Sequence, residues 1–246
     1  MSSIGSPQRW QRIWNGASDM GGDCSNNRLR AQGSRRQMAM ERETLTAVIL
    51  AAGRSSRMGS PKALLLDRAG CPFVARLART LGEAGLDEVL VVTAAPLADR
   101  VGAALAPRPG LPATRLLINE APERGQLSSL WLGIDAMPAG ASGLLVALVD
   151  APFVAADTVR AIVRVHGETR APIVRPARGG RHGHPVLFDR RVCAELRAAD
   201  PAVGAKPVVR GYGSAIRHVE VADAGAFTDV DTPDDYRLAM ERWQER

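Results

Sequence analysis

Thr46-Ala47-Val48-Ile49-Leu50-Ala51 runs without a break into Ala52-Gly53-Arg54-Ser55-Ser56-Arg57-Met58-Gly59-Ser60-Pro61-Lys62. The first six residues read as a strand buried on both faces, because the run is short, apolar throughout and closed by a turn signal. The loop after it is built from small residues and two glycines, so a ligand can approach its backbone closely. Successive N–H groups in such a loop can cradle phosphate oxygens, and Arg57 and Lys62 add fixed positive charge. The spacing is neither GxxxxGK[ST] nor GxGxxG, so this is a phosphate loop of another type.

Outward from this loop, strand-like and helix-like patterns alternate. Val74, Leu77, Ala78 and Leu81 share a helical face, Glu88 to Thr93 reads as a strand, and Leu97 to Leu105 as a helix. Arg115 to Asn119 is a third strand, and Leu127, Leu130, Trp131 and Ile134 follow helical spacing. Leu144 to Val149 is a fourth apolar run, followed by a helix marked by Val159, Ile162 and Val163 and a strand at Pro172 to Arg175. Val186 to Phe188 and Ile216 to Val221 read as strands, and Tyr236, Ala239, Met240 and Trp243 as a closing helix. The fold class is therefore α/β: a single Rossmann-like, mainly parallel sheet with helices on both faces.

Composition agrees. Apolar residues make up 46% of 246 residues and charged residues 24%, an ordinary globular balance. No run reaches the roughly 18 apolar residues of a membrane span. Residues 1–42 differ from the rest, being polar and carrying seven Arg against Asp19, Asp23 and Glu41. They are expected to form a disordered basic extension, with the folded domain over 43–246. Much of the net charge of +6 sits there, so it is weak support for nucleic-acid binding, and no nucleic-acid or membrane partner is expected. Of the 32 basic residues only Lys62 and Lys206 are lysines. Cys24, Cys71 and Cys193 are few, odd in number and far apart, which fits a reducing cytoplasm better than a disulfide framework.

In parallel α/β sheets, ligands bind beyond the carboxyl ends of the strands. Asp150 follows the fourth strand, where a carboxylate can hold a hard cation such as Mg²⁺ or cap the next helix. Asp229 and Asp231 alternate in Asp229-Val230-Asp231-Thr232-Pro233-Asp234-Asp235 and can supply a second metal ligand. Thr232-Pro233 also reads as an N-cap and first helical position, with Asp234 and Asp235 as charges favouring the helix dipole. Gln126 and Ser128 stand at a helix start, where they can bind a base or phosphate or simply cap. His182-Gly183-His184-Pro185 places His184 where it can face a cleft; without paired cysteines, zinc is not expected.

Together these segments resemble the MobA-like nucleotidyltransferases, which act on the molybdenum cofactor. Residues 50–65 are similar to the family's LAAGxSxRMGxPKxLL signature. GQLSSL at 125–130, Asp-x-Pro at 150–152, GHPVLF at 183–188 and DVDTPDD at 229–235 match later blocks in order, so the resemblance spans about 45–245. It implies a nucleotide-diphospho-sugar transferase-like fold. It also implies CMP transfer from CTP to the cofactor's phosphate, because guanylyltransferases of the family usually carry LAGG where this chain has Ala52. Carried over residue by residue, Arg57, Lys62 and Asp150 are the catalytic set. Leu50, Ala51, Ala52, Gly53, Gln126 and Ser128 join Arg57 and Lys62 around the nucleotide. Asp150 and Asp231 hold Mg²⁺, and His184 lies on the pterin side. The product implies transient contact with a molybdenum hydroxylase. One departure stands out: the family usually has Gly before the metal aspartate, and Val149 here is expected to crowd the phosphates.

Three other readings compete. They are a nucleotidyltransferase of the same fold (GTP-dependent, or acting on a sugar or methylerythritol phosphate), a non-catalytic carrier of the cofactor, and nucleic-acid binding through the basic tail. GHPVLF disfavours a sugar or methylerythritol phosphate acceptor.

Overall fold

The computed structural model describes residues 44–243; the reading of 1–42 as a disordered extension lies outside them. Eight strands form one sheet: β1 (Leu45–Leu50), β2 (Glu88–Ala94), β3 (Ala113–Asn119), β4 (Gly143–Leu148), β5 (Ile173–Arg178), β6 (Arg181–His182), β7 (Val186–Asp189) and β8 (Arg217–Glu220). The α-helices are α1 (Phe73–Glu83), α2 (Ala98–Ala104), α3 (Gln126–Asp135), α4 (Ala156–Thr169), α5 (Arg190–Ala198), α6 (Lys206–Gly211) and α7 (Pro233–Arg242).

The strand order is β3-β2-β1-β4-β7-β5-β6, with β8 also paired to β5. β1, β2, β3 and β4 run parallel. β7 is antiparallel to both β4 and β5, and β8 is parallel to β5. The chain leaves β1 toward β2 and β3, then returns to β4 on the other side. The loops after β1 and β4 therefore diverge and leave a crevice at the sheet's switch point.

Alternate strand residues face opposite layers, as the period-two pleat requires. Ala47, Ile49, Val89, Val91 and Leu145 pack with Phe73, Val74, Leu77 and Leu81 of α1 and with Val159 and Ile162 of α4. Val48, Leu50, Leu90, Val92 and Leu144 pack instead with Leu127 and Leu130 of α3 and with Val192 and Leu196 of α5. Leu145 in one layer and Leu144 in the other are fully buried, and truncating either to Ala should cost about 2–5 kcal/mol.

The loop after β4 is anchored by aromatics. The Phe153 ring stacks on Trp243 at 4.6 Å between centroids and meets Phe73 edge-on at 5.5 Å. Arg76 lies over its remaining face. Asp150 is thus carried on a segment pinned three residues later. α5 and α6 were not anticipated from the sequence, nor was the antiparallel direction of β7.

Candidate functional site

The loop after β1 is held open by its own backbone. Ser55 and Gly59 take positive φ, and the N–H groups of Met58 and Gly59 donate to Ser55 O at 3.0 and 3.2 Å. Ser55 Oγ accepts from the backbone N–H of Lys62 at 3.1 Å, closing the loop on the turn that carries Lys62. A Cβ placed on Gly53 would meet nothing within 4 Å, so the space above the loop is open. Ala51 and Ala52 are buried, Ala52 in the layer formed by α3 and α5.

Lys62 points across the crevice. Its Nζ hydrogen-bonds Asp231 Oδ1 and lies 3.5 Å from Asp150 Oδ2, with only 12% of the side chain exposed. Arg57 Nη2 donates to the other Asp231 oxygen at 2.8 Å. The Lys62 hydrogen bond, reinforced by the charges of Lys62 and Arg57, holds the Asp231 carboxyl below the usual carboxylate range despite some desolvation. The backbone brings Asp231 there, because Val230 N–H donates to Asp150 O at 2.7 Å and ties the segment before α7 to the end of β4.

Asp150 is only half satisfied. Its Oδ1 is buried without a hydrogen-bond partner, an arrangement that costs free energy unless a donor or cation completes it. Asp229, on the exposed edge, is pushed above the usual carboxylate range by desolvation and then by the negative charges of Asp150 and Asp231, with Lys62 and Arg181 opposing. A carboxylate pair with one orphaned buried oxygen is a donor set suited to a hard divalent cation such as Mg²⁺. Val149 is 7% exposed, belongs to the same core layer as Phe153 and Val154, and also forms part of the crevice wall beside Asp150.

Two clefts meet here. The smaller, about 150 Å³, is lined by Ala52, Gly53, Lys62, Gln126, Ser129 and Asp150 among others. The larger, about 510 Å³, contains His184 and shares Leu50, Gln126 and Leu148 with the first. Ser128 is not brought to either. It is 7% exposed, its Oγ donates to Gly125 O at 2.7 Å, and it accepts from Asn119 Nδ2 at 2.9 Å, so it fixes the start of α3. Ser129, which the sequence reading passed over, lines the smaller cleft and accepts the second Asn119 amide bond. Asn119 at the end of β3 was also missed; a polar side chain directly after Leu116, Leu117 and Ile118 was its signal.

Asp235 was read as a helix-start charge and does more. Its Oδ2 accepts from Thr232 N–H at 2.8 Å and Asp231 N–H at 3.2 Å, completing a capping box with Thr232 and fixing the Asp231 backbone. The Thr232 hydroxyl, which donates to the same oxygen at 2.8 Å, and then these backbone bonds hold its carboxyl below the usual range. His184 lines the larger cleft with Nδ1 buried and unpartnered. Burial pushes its pKa down, and the nearby Asp150 charge opposes the shift. Gly183 is required by close approach: a Cβ there would sit 2.0 Å from Ala226 O. Among the described residues, no group of three or more His, Cys, Asp or Glu is arranged to hold a metal on its own. No described helix is long and apolar enough to cross a membrane.

A family model for the MobA-like NTP transferase domain matches residues 47–233. The chain is 29% identical over 206 residues to a protein named probable molybdenum cofactor guanylyltransferase from Natronomonas pharaonis, covering 80% of this chain and 97% of that one. It is 32% identical over 205 residues to one named nicotine blue oxidoreductase from Paenarthrobacter nicotinovorans, covering 79% and 96%. The crystal structure of Rv0371c from Mycobacterium tuberculosis superposes with a TM-score of 0.69 at 31% identity, over 82% of this chain and all of that one. Its complex with manganese superposes at 0.65 and 30% identity, over 80% and 98%.

Proposed function

Since the chain belongs to the MobA-like NTP transferase family and is a nucleotidyltransferase, we propose that it transfers CMP from CTP to the terminal phosphate of the molybdenum cofactor. An oxygen of that phosphate attacks the α-phosphorus of CTP, and the bond to the β,γ-pyrophosphate breaks. Such a step asks for alignment and charge neutralisation more than for covalent help from the protein.

The observation that carries this reading is the convergence of Lys62, Asp150 and Asp231 at the smaller cleft, which Lys62 and Asp150 line and which shares Leu50, Gln126 and Leu148 with the larger one. The nucleotide lies along the smaller cleft and the open space beside it, which share Ala52, Gly53, Ser55 and Pro122 in their walls. The backbone from Leu50 through Ala51 and Ala52 to Gly53 lines the base, and Gln126 adds a hydrogen bond. Ser128 acts indirectly, by fixing the start of α3. Arg57 and Lys62 exchange part of their hold on Asp231 for the triphosphate. Asp150 and Asp231 would hold Mg²⁺, which when bound would supply charge neutralisation to the phosphate oxygens and the pyrophosphate. The orphaned Asp150 Oδ1 and the manganese complex of a relative support this assignment. His184 faces the acceptor in the larger cleft. We place the reaction in the cytoplasm, with the product handed to a molybdenum hydroxylase.

CTP rests on Ala52, whereas a relative named as a guanylyltransferase favours GTP as the second reading. The test is pyrophosphate release with Mg²⁺ and molybdenum cofactor, comparing CTP, GTP, ATP and UTP. Release with CTP alone is expected. Release with GTP alone keeps the mechanism and overturns the base. No release with any nucleotide, on folded protein and active cofactor, favours a carrier or another acceptor.

A further inference from the structure

Lys62, one of the chain's two lysines, is accounted for above; Lys206 is not. It opens α6 and lines the larger cleft, with Arg210 one turn later on the same side of the helix. Arg175 of β5 lines the same cleft. Elsewhere the domain pairs its arginines freely: Arg76, Arg115, Arg160 and Arg197 each lie within ion-pair distance of a carboxylate. Among the described residues, Lys206, Arg210 and Arg175 have no such carboxylate.

The other polar groups near Arg175 do not neutralise it. Arg175 Nε lies 3.5 Å from His218 Nδ1, and the His182 ring stacks on His218 at 4.7 Å. Both histidines are pushed toward the neutral form, first by desolvation and then by Arg175, against the weaker pull of Glu220. The floor of the cleft is apolar, formed by Leu130, Val146, Phe188 and Val209. A concave apolar surface rimmed by uncompensated cations focuses a positive potential and suits a flat ring system bearing negative charge. The attacking phosphate has to lie where the clefts join, beside Asp150. Arg175, Lys206 and Arg210 are absent from the lining of the smaller cleft, so their charge serves a different part of the ligand.

We propose that Arg175, Lys206 and Arg210 form a cationic rim that selects the acceptor by a second anionic group, an oxyanion or thiolate remote from the phosphate that attacks. This rests on the reading of the larger cleft as the acceptor site. The rim supplies ground-state binding of the acceptor and makes no contact with CTP.

Lys206→Ala, Arg210→Ala and the double variant are compared with wild type by steady-state kinetics. Because both residues are exposed, the variants test binding rather than folding. The double variant is expected to raise KM for the molybdenum cofactor at least tenfold, with kcat and KM for the nucleotide within twofold, the pattern of lost uniform binding. Lys206→Arg, which keeps the charge, should keep the cofactor KM. An unchanged cofactor KM in the double variant, with turnover intact, would overturn the rim and leave the proposed reaction standing. Direct titration of the cofactor without nucleotide separates the two failures. If wild type turns over no nucleotide but binds the cofactor, weaker binding by the double variant still supports the rim, and equal binding overturns it. Cofactor stripped of its phosphate should still bind wild type more tightly than the double variant. Equal binding of that form would mean that the rim holds the phosphate itself, and the second anionic group would fall.

Discussion

The Nζ of Lys62 lies 3.5 Å from Oδ2 of Asp150, joining the loop after β1 to the end of β4 across the crevice between them. The same ammonium holds Asp231, and Asp229 stands close enough to feel both carboxylates. Lys62→Ala should leave this acidic group with only the exposed Arg57 and the more distant Arg181 to offset it. A decrease in kcat/KM of about 10²–10³ is expected, as for loss of one preorganised stabiliser. Arg57, with 68% of its side chain exposed, should cost less when changed to Ala. Equal losses in the two variants would remove Lys62 from its central position.

Asp150→Asn tests the metal assignment separately from the fold. The bond from Val230 N–H ends on the Asp150 backbone carbonyl, so the substitution leaves the link between β4 and the segment before α7 intact. Thermal stability should change little, while turnover falls by about 10²–10³ and the Mg²⁺ concentration for half activity rises. Unchanged turnover at limiting Mg²⁺ would show that Asp150 does not hold the cation.

Part of the candidate site and the parallel half of the sheet were legible because their signals are local. An apolar run followed by a small-residue loop marks β1, and a carboxylate at the end of an apolar run marks Asp150. Thr232-Pro233 marks the start of α7 wherever that helix packs. What stayed hidden depends on distant partners. The three apolar residues Val186, Leu187 and Phe188 carry no signal for direction, which is set by pairing with β4 and β5. α5 buries only Val192, Cys193 and Leu196, too few for a clear period, and α6 carries Pro207 in its first turn. Ser128 and Ser129 are neighbours of one type that both bond Asn119 on β3, and only the path of α3 separates the one that holds the helix start from the one in the cleft.

Gly183→Ala should damage the site through the backbone. The added methyl would lie 2.0 Å from Ala226 O and 2.9 Å from Phe227 Cδ1. The adjacent His184 N–H donates to that same carbonyl at 2.9 Å, so relieving the clash moves His184. Overpacking of this kind costs about 1–3 kcal/mol, seen as a lower Tm, and the KM for the acceptor should rise more than that for CTP. A variant with wild-type Tm would mean that the 224–227 segment yields freely.

His184 also gives the fold a pH dependence whose sign can be worked out. Its folded pKa is lowered from 6.5, chiefly by burial, while the Asp150 charge and the Val146 carbonyl pull it back up only in part. Below about pH 6.5 the unfolded chain takes up a proton that the folded chain refuses, so stability falls as pH falls, down to the folded pKa. Above 6.5 both states hold a neutral ring and this contribution is flat. The lowered Asp231 acts in the same direction but below its ordinary value of 3.8, outside this window. His182 and His218 shift the same way as His184 but are exposed, so water screens their share. The urea midpoint should therefore decrease between pH 7.5 and 5.5, and His184→Asn, which cannot titrate, should reduce that slope. If the slope were identical in His184→Asn and wild type, His184 would take its proton as easily folded as unfolded, and its Nδ1 would have to reach solvent or a partner in the folded protein.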